Sequence, residues 1–190
     1  MLQNNSDISI TSSLVNDSCD QIAQLQQKLA HDILNFSTDY IVEQFCTKHF
    51  FIPNYQRSLV WSHKQQARFI ESVMLGFPIP FMSITSTLNK KCFEILDGHQ
   101  RIQTLVAFLT DQLKLDNLEI LPSLNGLKFS DLPLSQQEKL KSRKLAMFIL
   151  DNTAPLEIQQ EMFRRFNIQH CAWSRDLKRE INNARNHQRI

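Results

Sequence analysis

Residues 94–109 read EILDGHQRIQTLVAFL, and this stretch decides the architecture. Glu94, Ile95 and Leu96 belong to a short β-rich run, CFEILD (92–97). An Asp-Gly pair then breaks it. From His99 onward Ile102, Leu105, Val106, Leu109 and Leu113 recur at helical spacing. A strand therefore passes into a helix through one sharp turn, and the turn carries His99, Gln100 and Arg101 at the helix start. The first N–H groups of a helix lack internal partners and carry partial positive charge. A glycine just before them opens the backbone to a ligand, and an arginine in the first turn supplies a forked donor for phosphate. Asp97 would hold a metal, orient water or cap the helix. By itself the segment fits either a phosphate-handling turn or a plain capped turn with a surface arginine.

Working outward from that turn, the spacing predicts a strand at residues 81–85, paired with 92–97 as a hairpin around Asn89, Lys90 and Lys91. Ser62 and Gln65 form a capping box for a helix that ends at Gly76. Residues 50–52 read as a short strand stopped by Pro53, and 38–48 as a short helix. Residues 17–36 read as an amphipathic helix capped by Asn16 or Asp17, after a loose polar tail at 1–16. Downstream, Ser135 and Glu138 suggest a second capping box, and LAMFILD (145–151) a buried strand. Pro155 opens a helix to about 168, and Ser174 caps a last, basic one. Helices outnumber short strands, and the chain has only 3 Gly and 6 Pro, so the expected class is α+β rather than a turn-rich all-β fold.

The 190 residues suit one principal domain, and the hydrophobic fraction of 42% suffices for a core. Net charge is +2, too mild to identify a nucleic-acid partner. Its distribution is uneven: residues 161–190 hold seven Lys/Arg against three acids, so they carry +4 and the remainder −2. The four cysteines form no CxxC pair, which argues against a zinc or redox site and suits a reduced cytoplasm. The N-terminus has no secretory pattern, and no apolar run reaches the roughly 20 residues needed to span a bilayer. No metal-ligand spacing, Walker loop, GxGxxG, HExxH or GxSxG is present.

Two more segments carry chemistry. In IPNYQRSLVW (52–61), Gln56 and Arg57 lie between Tyr55 and Trp61: a second arginine arm for the same ligand, or a solvated loop. In MFRRFNIQH (162–170), Phe163 and Phe166 share a helix face beside Arg164 and Arg165, a pattern that a solvated amphipathic helix also explains.

Together, IPNYQRSLVW, GFPIP (76–80), DGHQRIQTL (97–105) and FRRFN (163–167) resemble the N-terminal domain of GmrSD-type, modification-dependent restriction enzymes, in the ParB/sulfiredoxin-like superfamily. The resemblance covers roughly residues 38–182. It implies a small mixed sheet surrounded by helices, with residues 1–36 ahead of a domain at 37–182 and a basic tail at 183–190. It also implies a nucleotide or nucleic-acid phosphate site formed by Gln56, Arg57, Gly98, Gln100, Arg101, Arg165 and Asn167. Asp97, His99 and Arg101 would be its catalytic groups, with an NTP, alone or with Mg²⁺, as the cofactor. His99 stands where the family pattern has Gln, and Ile168, Gln169, His170 and Cys171 stand where it has small residues. No nuclease segment is recognisable, so the expected role is an NTP-binding, NTP-hydrolysing sensor of a cytoplasmic restriction or anti-phage system. DNA and a nuclease acting in trans would be its partners, and a homodimer is compatible. The alternative is a non-catalytic DNA- or protein-binding regulator, including an inhibitor. Direct nicking by Asp97 and His99 ranks last, because no second metal ligand is assigned beside them.

Overall fold

The central strand, MSITS, is buried along its whole length, which fixes where the core lies. In the computed structural model, which describes residues 5–28, 31–53, 60–87, 91–150 and 161, this is β3 (Met82–Ser86). It pairs antiparallel with β4 (Phe93–Asp97) and parallel with β5 (Lys144–Leu150). Outside them lie β1 (His31–Ser37), antiparallel to β5, and the two-residue β2 (Phe50–Phe51), parallel to β4. The sheet order is β1-β5-β3-β4-β2. Ile84, Ile95 and Met147 are fully buried on its inner strands, each contributing about 1.5–3 kcal/mol of hydrophobic stabilisation. A strand buried on both faces loses the alternation of a half-exposed one, as MSITS does.

The remaining described helices are α1 (Asn5–Lys28), α2 (Thr38–Cys46), α3 (His63–Leu75), α4 (His99–Leu109) and α5 (Leu134–Ser142). With the mixed sheet they make an α+β fold, as the composition predicts. Short 3₁₀ turns at Pro122–Leu124 and Phe129–Asp131 join α4 to α5. The chain divides into two units, Met1–Thr153 and Ala154–Ile190, and all of these elements belong to the first. α4 packs against α2 and α3, burying Ile102, Leu105 and Phe108 with Ile41, Ile70 and Val73. Glu71 is buried on α3, and its carboxylate accepts from Ile120 N (3.0 Å) and Leu121 N (2.7 Å), satisfying two loop amides from within. No helix among the described residues is long and apolar enough to cross a membrane.

The predicted capping box is formed: Ser62 and Gln65 exchange both bonds, and Gly76 ends α3 at φ 77°. Three expectations need correction. Residues 31–37 are strand, not the end of a helix, and α1 begins at Asn5 within the stretch read as a tail. Spacing alone cannot separate a short apolar run into helix or strand, and here the open edge of β5 takes up all seven residues of β1. α4 stops at Leu109 because Gln112 N and Leu113 N both turn back to Ala107 O, with Asp111 at φ 59°. Leu113 is still buried, but after the helix rather than on it. α5 has Pro133 as its N-cap with no side-chain cap bond; Pro133 O accepts from Gln136 N and Gln137 N, so Ser135 lies inside the helix. The expected hairpin apex at Asn89 and Lys90 and the expected helices after 154 lie outside the described residues.

Candidate functional site

β4 delivers Asp97 to the end of the sheet, and the chain must then reverse into α4. Gly98 makes that reversal at φ 90°, a region costly for any residue with a Cβ. Space forbids a side chain as well: a Cβ on Gly98 would lie 2.4 Å from Met82 Cγ and 2.8 Å from Met82 Cβ. The turn is thus packed directly on the first residue of β3. Gly98 is the N-cap of α4 and offers no side-chain cap to the first amides of the helix.

The next residues tie the turn to two other motifs. Gln100 Oε1 accepts from Val60 N (2.9 Å) and Trp61 N (3.1 Å), the end of IPNYQRSLVW. Trp61 is in turn held by Phe69 in an edge contact (5.6 Å) and by Gln66, whose amide donates to Trp61 O (3.1 Å). Arg101 faces the other way. Its Nη2 donates to Asp97 Oδ2 (2.9 Å) and Phe81 O (3.4 Å), and its Nη1 donates to Pro80 O, at the end of GFPIP. The pair is largely withdrawn from water, with side-chain exposures of 12% for Arg101 and 25% for Asp97. Burial pulls the Arg101 pKa below its ordinary value and the Asp97 carboxylate opposes that. Three of the five guanidinium N–H groups are thereby engaged.

His99 has a defined protonation geometry. Two backbone N–H groups donate to Gln100 Oε1, so the amide orientation is fixed and Nε2 must be the donor toward His99 Nε2, 2.7 Å away. The imidazole is therefore neutral, with its proton on Nδ1. Desolvation lowers its pKa; Asp97 opposes this and Arg101 adds to it. A base acting through Nε2 would first have to give up Gln100. Among the described residues no cluster of three or more His, Cys, Asp or Glu side chains is arranged to hold a metal, and Asp97 Oδ2 is engaged by Arg101.

Of the residues predicted to share a site, the structure brings together Asp97, Gly98, His99, Gln100 and Arg101. Gln56, Arg57, Arg165 and Asn167 lie outside the described residues. Sequence reasoning missed the partners: Met82 beneath Gly98, the carbonyls of Pro80 and Phe81, and the amides of Val60 and Trp61. The order of the motifs signals that they converge, but not which atoms join them.

The β4–α4 turn of this α+β domain clasps two distant segments through adjacent residues, Gln100 and Arg101. The family model for the GmrSD restriction endonuclease N-terminal domain matches residues 31–175. With most of its length matched, the chain belongs to that family, whose role lies in restriction systems. Neither the curated proteins nor the solved structures returned a match.

Proposed function

We propose that the N-terminal end of α4 binds the phosphates of a nucleoside triphosphate, and that the domain is the nucleotide-responsive module of a restriction system, acting with a nuclease and DNA. One observation carries the reading: the DGHQR turn holds the ends of IPNYQRSLVW and GFPIP through Gln100 and Arg101. That linkage makes the turn the junction of the family's motifs, at the N-terminus of a helix whose N-cap residue, Gly98, brings no capping side chain of its own. Its chemistry suits an anion: helix amides are directed donors, Arg101 has two N–H groups without a partner among the described residues, and the His99 Nδ1–H adds a neutral donor. Asp97 keeps the guanidinium in place and holds its charge in balance until a phosphate arrives. Turnover would further require a group that activates water, and Asp97 and His99 are the candidates in reach.

Calorimetric titration of the full chain with ATP, GTP, CTP and UTP, with and without Mg²⁺, tests this. Binding of at least one nucleotide is expected. A guanidinium–phosphate bond contributes roughly 1.5–3 kcal/mol, so Arg101→Ala should weaken it roughly ten- to a hundredfold, with thermal melting run alongside to confirm that the variant folds. A wild-type chain that binds no triphosphate overturns the proposal.

A further inference from the structure

Residues 139–144 read KLKSRK and place Lys139, Lys141, Arg143 and Lys144 where α5 passes into β5. Lys141 lies over the Phe129 ring at 6.0 Å. Lys139 and Lys144 are exposed, and Arg143 is half-buried. Among the described residues none of the four forms an ion pair; the salt bridges there are Lys64–Glu119, Arg68–Glu119 and Arg101–Asp97. A groove of about 280 Å³ opens beside them. Arg143 and Lys144 line it with Asn35 of β1 and with Phe77, Pro78 and Ile79 after α3. A smaller hollow is lined by Arg143 with Lys139 and Gln136. No carboxylate lines either one.

Arg143 is built in rather than trailing in solvent. Its carbonyl accepts from Thr38 N (2.9 Å) and its N–H donates to Leu140 O (3.1 Å). Its guanidinium lies against Gly76, where a Cβ would approach Nη1 to 3.0 Å. Nη2 donates to Met74 O (3.3 Å), which helps to close the C-terminus of α3. Nε is buried and has no partner. Closing α3 accounts for one N–H of this side chain. It does not account for a half-buried cation with no carboxylate partner among the described residues, for an unanswered Nε, or for Lys144 and Phe77 lining the same groove. Cations in a cleft are normally given a counter-charge, and an anion in the groove would supply the one that Arg143 and Lys144 lack among the described residues.

We propose that this groove binds a phosphate group of a nucleotide or nucleic-acid chain, held by Arg143 and Lys144, with the base stacked on Phe77. Phe77 is 48% exposed, an aromatic face open to such a contact. The site is separate from the α4 turn: none of residues 97–101 lines it.

Fluorescence anisotropy of a labelled single-stranded DNA oligonucleotide over a salt series, using the full chain, tests the proposal; unlabelled pyrophosphate and ATP serve as competitors. Lys144→Glu reverses an exposed charge and should fold like the wild type, with Lys114→Glu as a matched reversal elsewhere. Lys144→Glu is expected to weaken oligonucleotide binding about tenfold and to flatten the log–log salt slope by about 1 or more. Phe77→Ala should weaken the oligonucleotide and leave pyrophosphate competition intact. If the wild type binds ATP but no oligonucleotide, and Lys144→Glu lowers that affinity, the phosphate belongs to a free nucleotide. If ATP affinity survives Lys144→Glu while oligonucleotide affinity falls, the groove takes the nucleic acid and the α4 turn keeps its own ligand. Lys144→Glu behaving like Lys114→Glu toward both probes, or a wild type that binds neither, overturns the proposal.

Discussion

The α4 turn and the α5–β5 ridge both present arginine, and they use it in opposite ways. At the turn, the Arg101 cation is answered from inside the molecule by a carboxylate and two carbonyls. On the ridge, Arg143 has one carbonyl partner and an unanswered Nε, and its neighbours Lys139 and Lys144 have no counter-ion among the described residues. A residue type suited to phosphate therefore does not reveal whether its bonding capacity is free. Where most of that capacity is spent internally, as at Arg101, a substitution should be felt in stability as well as in binding. Where it is left over, the effect should fall on binding alone.

The sharpest way to break this contrast is Gly98→Ala. The new Cβ meets Met82 and imposes a positive φ on alanine, so a loss of about 3 kcal/mol is expected in urea denaturation. A loss below about 0.5 kcal/mol would mean that the turn is not the rigid element described. Gln100→Leu comes next. It removes the acceptor for Val60 and Trp61, and a loss of about 1 kcal/mol is expected. Hydrogen exchange should report faster exchange at those two amides specifically; unchanged protection there would dissolve the link between the motifs.

The smallest effect should come from His99→Gln, and it should depend on pH. The His99 pKa is lowered in the folded chain by burial, with Asp97 opposing and Arg101 reinforcing. The unfolded chain then binds the proton more readily, so the neutral imidazole favours folding above the ordinary histidine pKa of about 6.5, and that contribution is lost as pH falls through the folded value. The wild type should lose stability relative to His99→Gln as pH falls below about 6.5, read from thermal melts across that pH. Parallel curves would mean that the ring is not held neutral.

Much of the framework was legible in the residues. Ser62, Gln65 and Gly76 announce α3 because capping chemistry is local. CFEILD followed by Asp-Gly announces β4 and its turn for the same reason. Residues 31–37 were misread because their strand state depends on β5, more than a hundred positions away. Ser135 was misread because Pro133 had already set the helix start. At the candidate site, the identities of Asp97, Gly98, Gln100 and Arg101 stood out, yet their partners did not: Pro80, Phe81, Val60 and Trp61 contribute backbone atoms, and every residue has those. Nothing in the KLKSRK run itself marks a site, because its significance lies in missing carboxylates, which only packing reveals.

The Gln100 side chain has one further consequence. An amide is not symmetric: its oxygen faces the Val60 and Trp61 backbone while its nitrogen faces His99. The clasp therefore has a polarity, and a proton placed on His99 Nε2 sets donor against donor at one end of it. Relief by rotating the amide would turn its NH₂ toward two backbone N–H groups at the other end. A single protonation event would thus be transmitted to the backbone at Val60 and Trp61, forty residues away in sequence, through one side chain.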